Sequence, residues 1–456
     1  MIINELLERF AKSCPIPVAL RATVERVLSP EKLDKWFEHN SKKQYTRKLL
    51  FSTMFDLMGM VVFKVFPSIN SAYQSQAKSA SVSIASTYNK LNGFEPETIA
   101  ALVRDTSQEI ASLTRGLKAE RLSLLPGYRV KMLDGNCIEK TEHRLEVLRH
   151  TAAGPLPGKS LVVYDHGLDL VVDVFPCEDG HAQERSLLNQ VLPTINPGEV
   201  WVADRNFCVQ DFLSGIDRAS GYYIIRKHKN LPMEALGSLV FVGESETGKL
   251  YEQKVKIADR AGKHPTIVRL ITIKLNKATR NGDNTLEIIT NLPEGKVEAT
   301  AIASVYQERW SIETMFQHLT THLKSEINTL AYPRAALFGF CLSLIAYNLL
   351  SVIKAAMRSV HGEEKIENEV SGYYIAGEIS RTMEGMKVAL PDEEWSIFGD
   401  MTEGDFILFL KRIMKNTILS KYKKHKRGLK KPKPKRDQHP NSPHVSTYKL
   451  LNPNSV

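Results

Sequence analysis

Residues 301 to 324 hold a helical period without interruption, and that period restricts what can surround them. At about 100° per residue, Tyr306, Arg309, Glu313, Gln317, Thr320 and Lys324 fall on one polar stripe. Val305, Ile312, Phe316, Leu319 and Leu323 run beside it, so the spacing predicts one helix over 301–324 whose polar row borders a packed face. A carboxylate and a guanidinium at the margin of a core suit a phosphate-handling site. A surface Arg309–Glu313 pair, worth roughly 0.2–0.5 kcal/mol, satisfies the same spacing. The rest of the chain has to decide between them.

Two other stretches bear on the choice. Met132-Leu133-Asp134-Gly135-Asn136 sets an acid at the end of an apolar run, and Val200-Trp201-Val202-Ala203-Asp204-Arg205-Asn206-Phe207 repeats the arrangement. An acid that ends a buried strand is costly unless it is paired, hydrogen-bonded or bound to a cation. One such Asp is commonly a cap or turn former. Two of them, followed by Glu313 on a helix after the last strand, make a converging carboxylate set that divalent cations would compensate. Oxygen ligands suit Mg²⁺ or Mn²⁺. Two such ions about 3.5–4 Å apart activate a water or a 3′-hydroxyl in phosphodiester transfer. Asp165, Asp169 and Asp173, in the predicted hairpin between these stretches, are expected to face solvent.

Along the chain the texture changes several times. Residues 1–125 read as helical, with candidate helices at Glu31–Asn40, Lys48–Phe66, Ser83–Asn92 and Pro96–Leu117 punctuated by Pro30, Pro67, Gly93 and Pro96. From 126, short apolar or alternating runs at Tyr128–Ile138, Leu161–Asp165, Leu170–Phe175 and Glu199–Ala203 read as strands, with a helix at His181–Leu192 before the last. Residues 222–285 read as further strands separated by Gly-containing turns, a β-rich insertion that splits an α/β domain of residues 126–221 and 286–358. Helices follow over 359–420, and 421–456 reads as an extended Lys/Pro tail. The apolar stretches Leu49–Phe66 and Ala335–Ile353 are interrupted by polar residues and read as buried helices rather than membrane spans.

Charge and cysteine usage narrow the partners. The net charge is +10, and residues 421–436 alone hold ten Lys or Arg and no acid, so the excess sits in one run. Such a run gives sequence-independent, salt-sensitive affinity for nucleic acid, and equally serves as a solvated end. Further DNA-contact candidates are Lys42, Lys43 and Arg47 in a basic lead-in, and Arg226, Lys227 and Lys229 after an apolar strand. Helices around Ser83–Leu102 offer a recognition element by spacing alone. The five cysteines are scattered and never in a Cys-x-x-Cys pair, which argues against a zinc site or disulfide framework and for a reducing cytoplasm. Asn4, Glu5, Glu8 and Arg9 interrupt the opening apolar residues, so no signal peptide is expected.

Three blocks together carry a family resemblance: Leu133-Asp134-Gly135-Asn136, Ala203-Asp204-Arg205-Asn206-Phe207, and Ile289-Thr290-Asn291-Leu292 leading into Tyr306-x-x-Arg309-Trp310-x-x-Glu313. In them the chain resembles bacterial insertion-sequence transposases of the DDE class, in the branch called insertion sequence four. The resemblance implies a ribonuclease-H-like core interrupted by a β-rich insertion, with Asp134, Asp204 and Glu313 as the catalytic acids holding two Mg²⁺ or Mn²⁺ ions. It implies that Tyr306 and Arg309 hold DNA phosphates near the cut, with Trp310 and Lys324 as further contacts. The implied partners are the element's terminal inverted repeats and target DNA, with a homodimer in the working complex. The family signature adds a lysine seven residues beyond the glutamate, where this chain has Thr320. Some relatives flip a base onto an insertion tryptophan; residues 222–285 hold none, leaving Phe241, Tyr251 and Tyr222/Tyr223 as stacking candidates. Two other readings stay open: a non-catalytic DNA-binding descendant of a transposase, and a nuclease of related fold that cuts without strand transfer.

Overall fold

The computed structural model describes residues 5–42, 49–75, 82–139, 141–279, 282–425 and 444–453. Lys43, Arg47 and residues 426–436 of the basic run therefore lie outside the described residues. The architecture is mixed α/β: one large sheet with helical layers against it.

Ten strands form that sheet: β1 (Arg129–Cys137), β3 (Lys159–Asp165), β4 (Leu170–Cys177), β5 (Glu199–Ala203), β6 (Tyr222–Arg226), β7 (Glu234–Ala235), β8 (Val240–Ser245), β9 (Gly248–Ile257), β10 (Thr266–Leu275) and β11 (Thr285–Thr290). Their order is β4-β3-β1-β5-β6-β11-β10-β9-β7, with β8 also on β9. β3 runs antiparallel to both β1 and β4, whereas β5 is parallel to both β1 and β6. Two short strands, β2 (Gly154–Leu156) and β12 (His444–Ser446), pair separately.

Period-two alternation divides the apolar side chains between two cores. On β5, Val200 and Val202 join the cluster shared with the terminal helices, while Trp201 and Ala203 join a second cluster with Phe207, Phe212 and Leu213. Covered on both faces, β5 reads as a continuous apolar run, as expected of a parallel interior strand. The helix Pro96–Gly116 packs on β4, and Pro333–His361 packs on both. Pro333 at its first turn and Gly362 at φ 89° mark the ends of this 29-residue helix. It is the one helix among the described residues long and apolar enough to cross a membrane, and its apolar window is wholly buried in the protein.

Several expectations need correction. The 301–324 helix is two, Ala299–Gln307 and Trp310–Thr321, joined by i→i+3 bonds at Arg309 N–Tyr306 O (3.2 Å) and Ser311 N–Glu308 O (2.8 Å). His181–Leu192 is no single helix but two 3₁₀ turns, Glu184–Leu187 and Leu192–Thr194, flanking one α-turn. Asp165, Asp169 and Asp173 are buried, and the 96–116 and 333–361 helices pack on the β4 side of their hairpin. Each meets an arginine there: Arg129 at 2.5 Å, Arg121 at 2.9 Å and Arg104 at 3.3 Å. The strands of residues 234–275, within the expected insertion, continue the same sheet, since β11 bonds β6 on one side and β10 on the other. The end of the expected tail is built in as well. β12 pairs with β2, and Lys449 reaches Asp179 at 3.2 Å.

Candidate functional site

Strand register brings the first two acids together. β1 and β5 are parallel, and their last paired residues are Leu133 and Ala203. The next residue on each chain is an aspartate, so Asp134 and Asp204 emerge side by side, with backbones roughly 5 Å apart by ordinary strand spacing. Alternation aims Asp134 to the same sheet face as Met132, two residues earlier. That face carries the two helices, and Ser311 anchors the second by donating to Met132 Sδ at 3.0 Å.

The helices deliver the remaining groups through the tightened turn between them. Tyr306 ends the first helix, and its hydroxyl donates to Asp204 Oδ1 at 3.4 Å. Arg309 caps the second, with Nη1 3.2 Å from Asp134 Oδ2 and Nη2 2.7 Å from Glu313 Oε1. One guanidinium thus bridges a strand acid and a helix acid, while a phenol holds the other strand acid. Arg309 is 7% exposed, and its buried Nε has no partner. The arginine of the i, i+4 pair is therefore interior, while the Glu313 side chain is 39% exposed.

The electrostatics follow from crowding. Burial, only partly offset by Arg309 and the Gly135 amide, pushes the Asp134 carboxyl up to about 6, with Glu313 and Glu184 adding repulsion. Burial, then the neighbouring Asp204, raises the Tyr306 phenol. For Arg309, burial disfavours the charge, but the Glu313 bond and the adjacent Tyr306 and Asp134 outweigh it, and its pKa is raised.

A fourth carboxylate, absent from the sequence reading, sits alongside. Glu184 accepts from Asn206 Nδ2 and packs so closely on Gly135 that a Cβ there would fall 2.2 Å from Oε1. Arg185 Nε holds the same loop, donating to Asn206 O at 2.8 Å. Gly135 and Asn206 stood in the motifs, but Glu184 lies in an irregular turn with no spacing to mark it.

The other candidates are distributed away from the acids. Trp310 is 63% exposed beside Arg309, whose Cζ lies 5.4 Å from the ring centroid. Lys324 Nζ turns to the Pro67 carbonyl, at the far end of the second helix. Arg226 and Lys227 are held in ion pairs with Asp283 and Glu287, each at 2.9 Å. Lys229 and Lys42 are exposed. Of the stacking candidates, Tyr223 is buried, whereas Phe241 is 53% exposed and meets Tyr251 edge-on at 5.6 Å.

The donor set is the hard-oxygen type that suits Mg²⁺ or Mn²⁺, with Glu313 and Glu184 near enough to Asp134 to repel it. With Arg309 between Asp134 and Glu313, no group of three or more ligating side chains among the described residues is close enough to share one ion.

Comparison with known proteins agrees in kind. Residues 157–349 match the family model described as Transposase DDE domain, a span that includes Asp204 and Glu313 and begins after Asp134. Over 199 residues the chain is 25% identical to "Putative transposase y4zB" of Sinorhizobium fredii (strain NBRC 101917 / NGR234), which covers 42% of this chain and 52% of that one. The chain thus spans about half the length of that curated relative. A piggyBac transposase in a synaptic complex with hairpin DNA aligns over 87% of this chain and 81% of its own, at 9% identity and a TM-score of 0.37, a likeness too loose to define a shared fold. The chain is accordingly similar to transposases with a DDE domain.

Proposed function

We propose that this chain is a DDE transposase of the insertion-sequence-four branch, which binds the terminal inverted repeats of its own element, cuts there, and joins the 3′-hydroxyls to target DNA. The observation that carries the reading is that Arg309 bridges Asp134 and Glu313 while Tyr306 bonds Asp204, three acids from parts of the chain far apart in sequence. The order β4-β3-β1-β5-β6, antiparallel and then parallel, supports assigning a ribonuclease-H-like core. We further assign residues 1–125 to DNA binding and place the working complex, at least a dimer, in the bacterial cytoplasm.

In this reading Asp134, Asp204 and Glu313 would hold divalent cations, which would supply Lewis-acid chemistry at the scissile phosphate. The chain's own groups do the positioning. Arg309 offers a planar fork to a phosphate once it shares or leaves its carboxylates, and Tyr306 orients Asp204. Trp310 and the exposed Lys229 and Lys42 lie where a duplex can reach them.

The test is cleavage of DNA carrying the gene's own flanks in Mg²⁺. Asp134→Asn, Asp204→Asn and Glu313→Gln should each abolish cutting while leaving melting temperature and end binding close to wild type. Normal cutting by any one of them removes that residue from the assignment. A joining assay with pre-cut ends separates transposition from simple hydrolysis.

A further inference from the structure

Beside the acids, on the opposite face of β1, lies a polar pocket of about 490 Å³ lined by Lys159, His181, Gln183, Glu184, Arg185 and Asn206. It is built by strand alternation. Lys159 points to the same sheet face as Leu161 and Val163, and Gly135 turns to that face because it follows Asp134. The pocket is thus separated from the Asp134 carboxylate by the one residue of β1 that has no side chain.

The telling group is Lys159. It is 9% exposed, yet among the described residues neither a carboxylate nor any hydrogen-bond acceptor meets its ammonium. Its stem is packed while its ammonium reaches the pocket, since Nζ is not among the fully buried side-chain atoms that lack a partner. The single acid in the pocket, Glu184, packs on Gly135 and accepts from Asn206, another lining residue. Arg185 uses Nε on Asn206, and no carboxylate among the described residues pairs with it. Among the described residues, Lys159 and Arg185 thus face the pocket against one carboxylate, with which neither forms an ion pair.

We propose that this pocket binds a phosphate group of a nucleic-acid strand, next to the phosphate handled by the acids. The inference rests on the transposase reading for its ligand, and on Lys159, Arg185 and the pocket's position for the anion site itself.

Binding of the full chain to a fluorescent duplex, without divalent ions and across a salt series, tests it separately from catalysis. In Lys159→Met the slope of log K against log salt should shrink by about one, as expected for loss of one phosphate contact. Inorganic phosphate should raise the melting temperature of the wild type but not of this variant, whose own melting temperature should match or exceed wild type. Arg185→Gln, at an exposed position, should reduce the slope similarly and guards against a variant that fails to fold. A less stable Lys159→Met with an unchanged slope makes the lysine purely structural and overturns the proposal. Loss of the phosphate effect with an unchanged slope assigns the pocket to a free anion and overturns the nucleic-acid ligand. A wild type that binds DNA through Lys159 but never cuts it would sink the transposase reading and leave the pocket standing.

Discussion

Two aspartates four residues apart on the same hairpin end in opposite electrostatic states. Asp169 is fully enclosed, which alone would raise its carboxyl, but Arg121, Lys354 and Arg358 surround it, and Tyr164 and Tyr347 donate to Oδ1 at 2.7 and 2.6 Å. The cations win, and the carboxyl lies well below the usual range. For Asp173 burial outweighs Arg104, at 3.3 Å and itself partly exposed, the Val174 amide and Lys131, and the carboxyl rises to about 6. For an acid whose folded pKa is raised, the folded state holds its proton more tightly, so stability is greatest at low pH and falls as pH climbs from about 4 through about 6. At roughly 1.4 kcal/mol per pH unit, Asp173 costs on the order of 2–3 kcal/mol above that window. Asp173→Asn should therefore be more stable than wild type at pH 8 and flatten the profile between pH 4 and 7, which urea titration at several pH values will read. Alternation in the sequence located this hairpin, yet it did not show that both faces are covered. Exposure of Asp165, Asp169 and Asp173 depended on helices from either end of the chain.

At the scale of elements, the site is a meeting of strand ends with a helix pair, and the junctions are what the sequence concealed. The blocks around Asp134, Asp204 and Glu313 were legible because an acid closing an apolar run is conspicuous. The interruption at Glu308–Arg309 was not, since both helices keep nearly the same phase and no Gly or Pro marks the tightened turn. Glu184 was hidden for a related reason: the turn that presents it has no period. Gly135 joins the two levels. A methyl group there would displace Glu184 from Asn206 and so loosen the loop after Asp204. Gly135→Ala should lower the cleavage rate at least tenfold, about 1.4 kcal/mol in the barrier, while the melting temperature changes little. Equal rates in a single-turnover comparison would show that Glu184 has no part in the site.

Across the whole molecule, one buried ionic hub ties together parts that sequence order keeps apart. Asp169 lies on the β3–β4 hairpin, Arg121 follows the 96–116 helix, and Lys354 and Arg358 belong to the 333–361 helix. Glu367 of the next helix reaches Arg358 at 2.9 Å, and Asn348 closes the group by bonding the β4 backbone at Val171. Removing the central charge would leave Arg121, Lys354 and Arg358 to share the single carboxylate of Glu367. Asp169→Asn should cost about 3–5 kcal/mol of unfolding free energy by chemical denaturation, far more than the exposed Arg9–Glu5 pair would on loss of its acid. A loss under 1 kcal/mol would mean that solvent reaches the hub.

The unbroken ladder from β5 through β6, β11 and β10 to β9 also has a mechanical consequence. A plate stitched by main-chain bonds bends as a whole more readily than it folds at a crease, so anything that grips the outer rim at Phe241 pulls on the same lattice that presents Asp204. Cargo seated on that rim would tilt the acids with it.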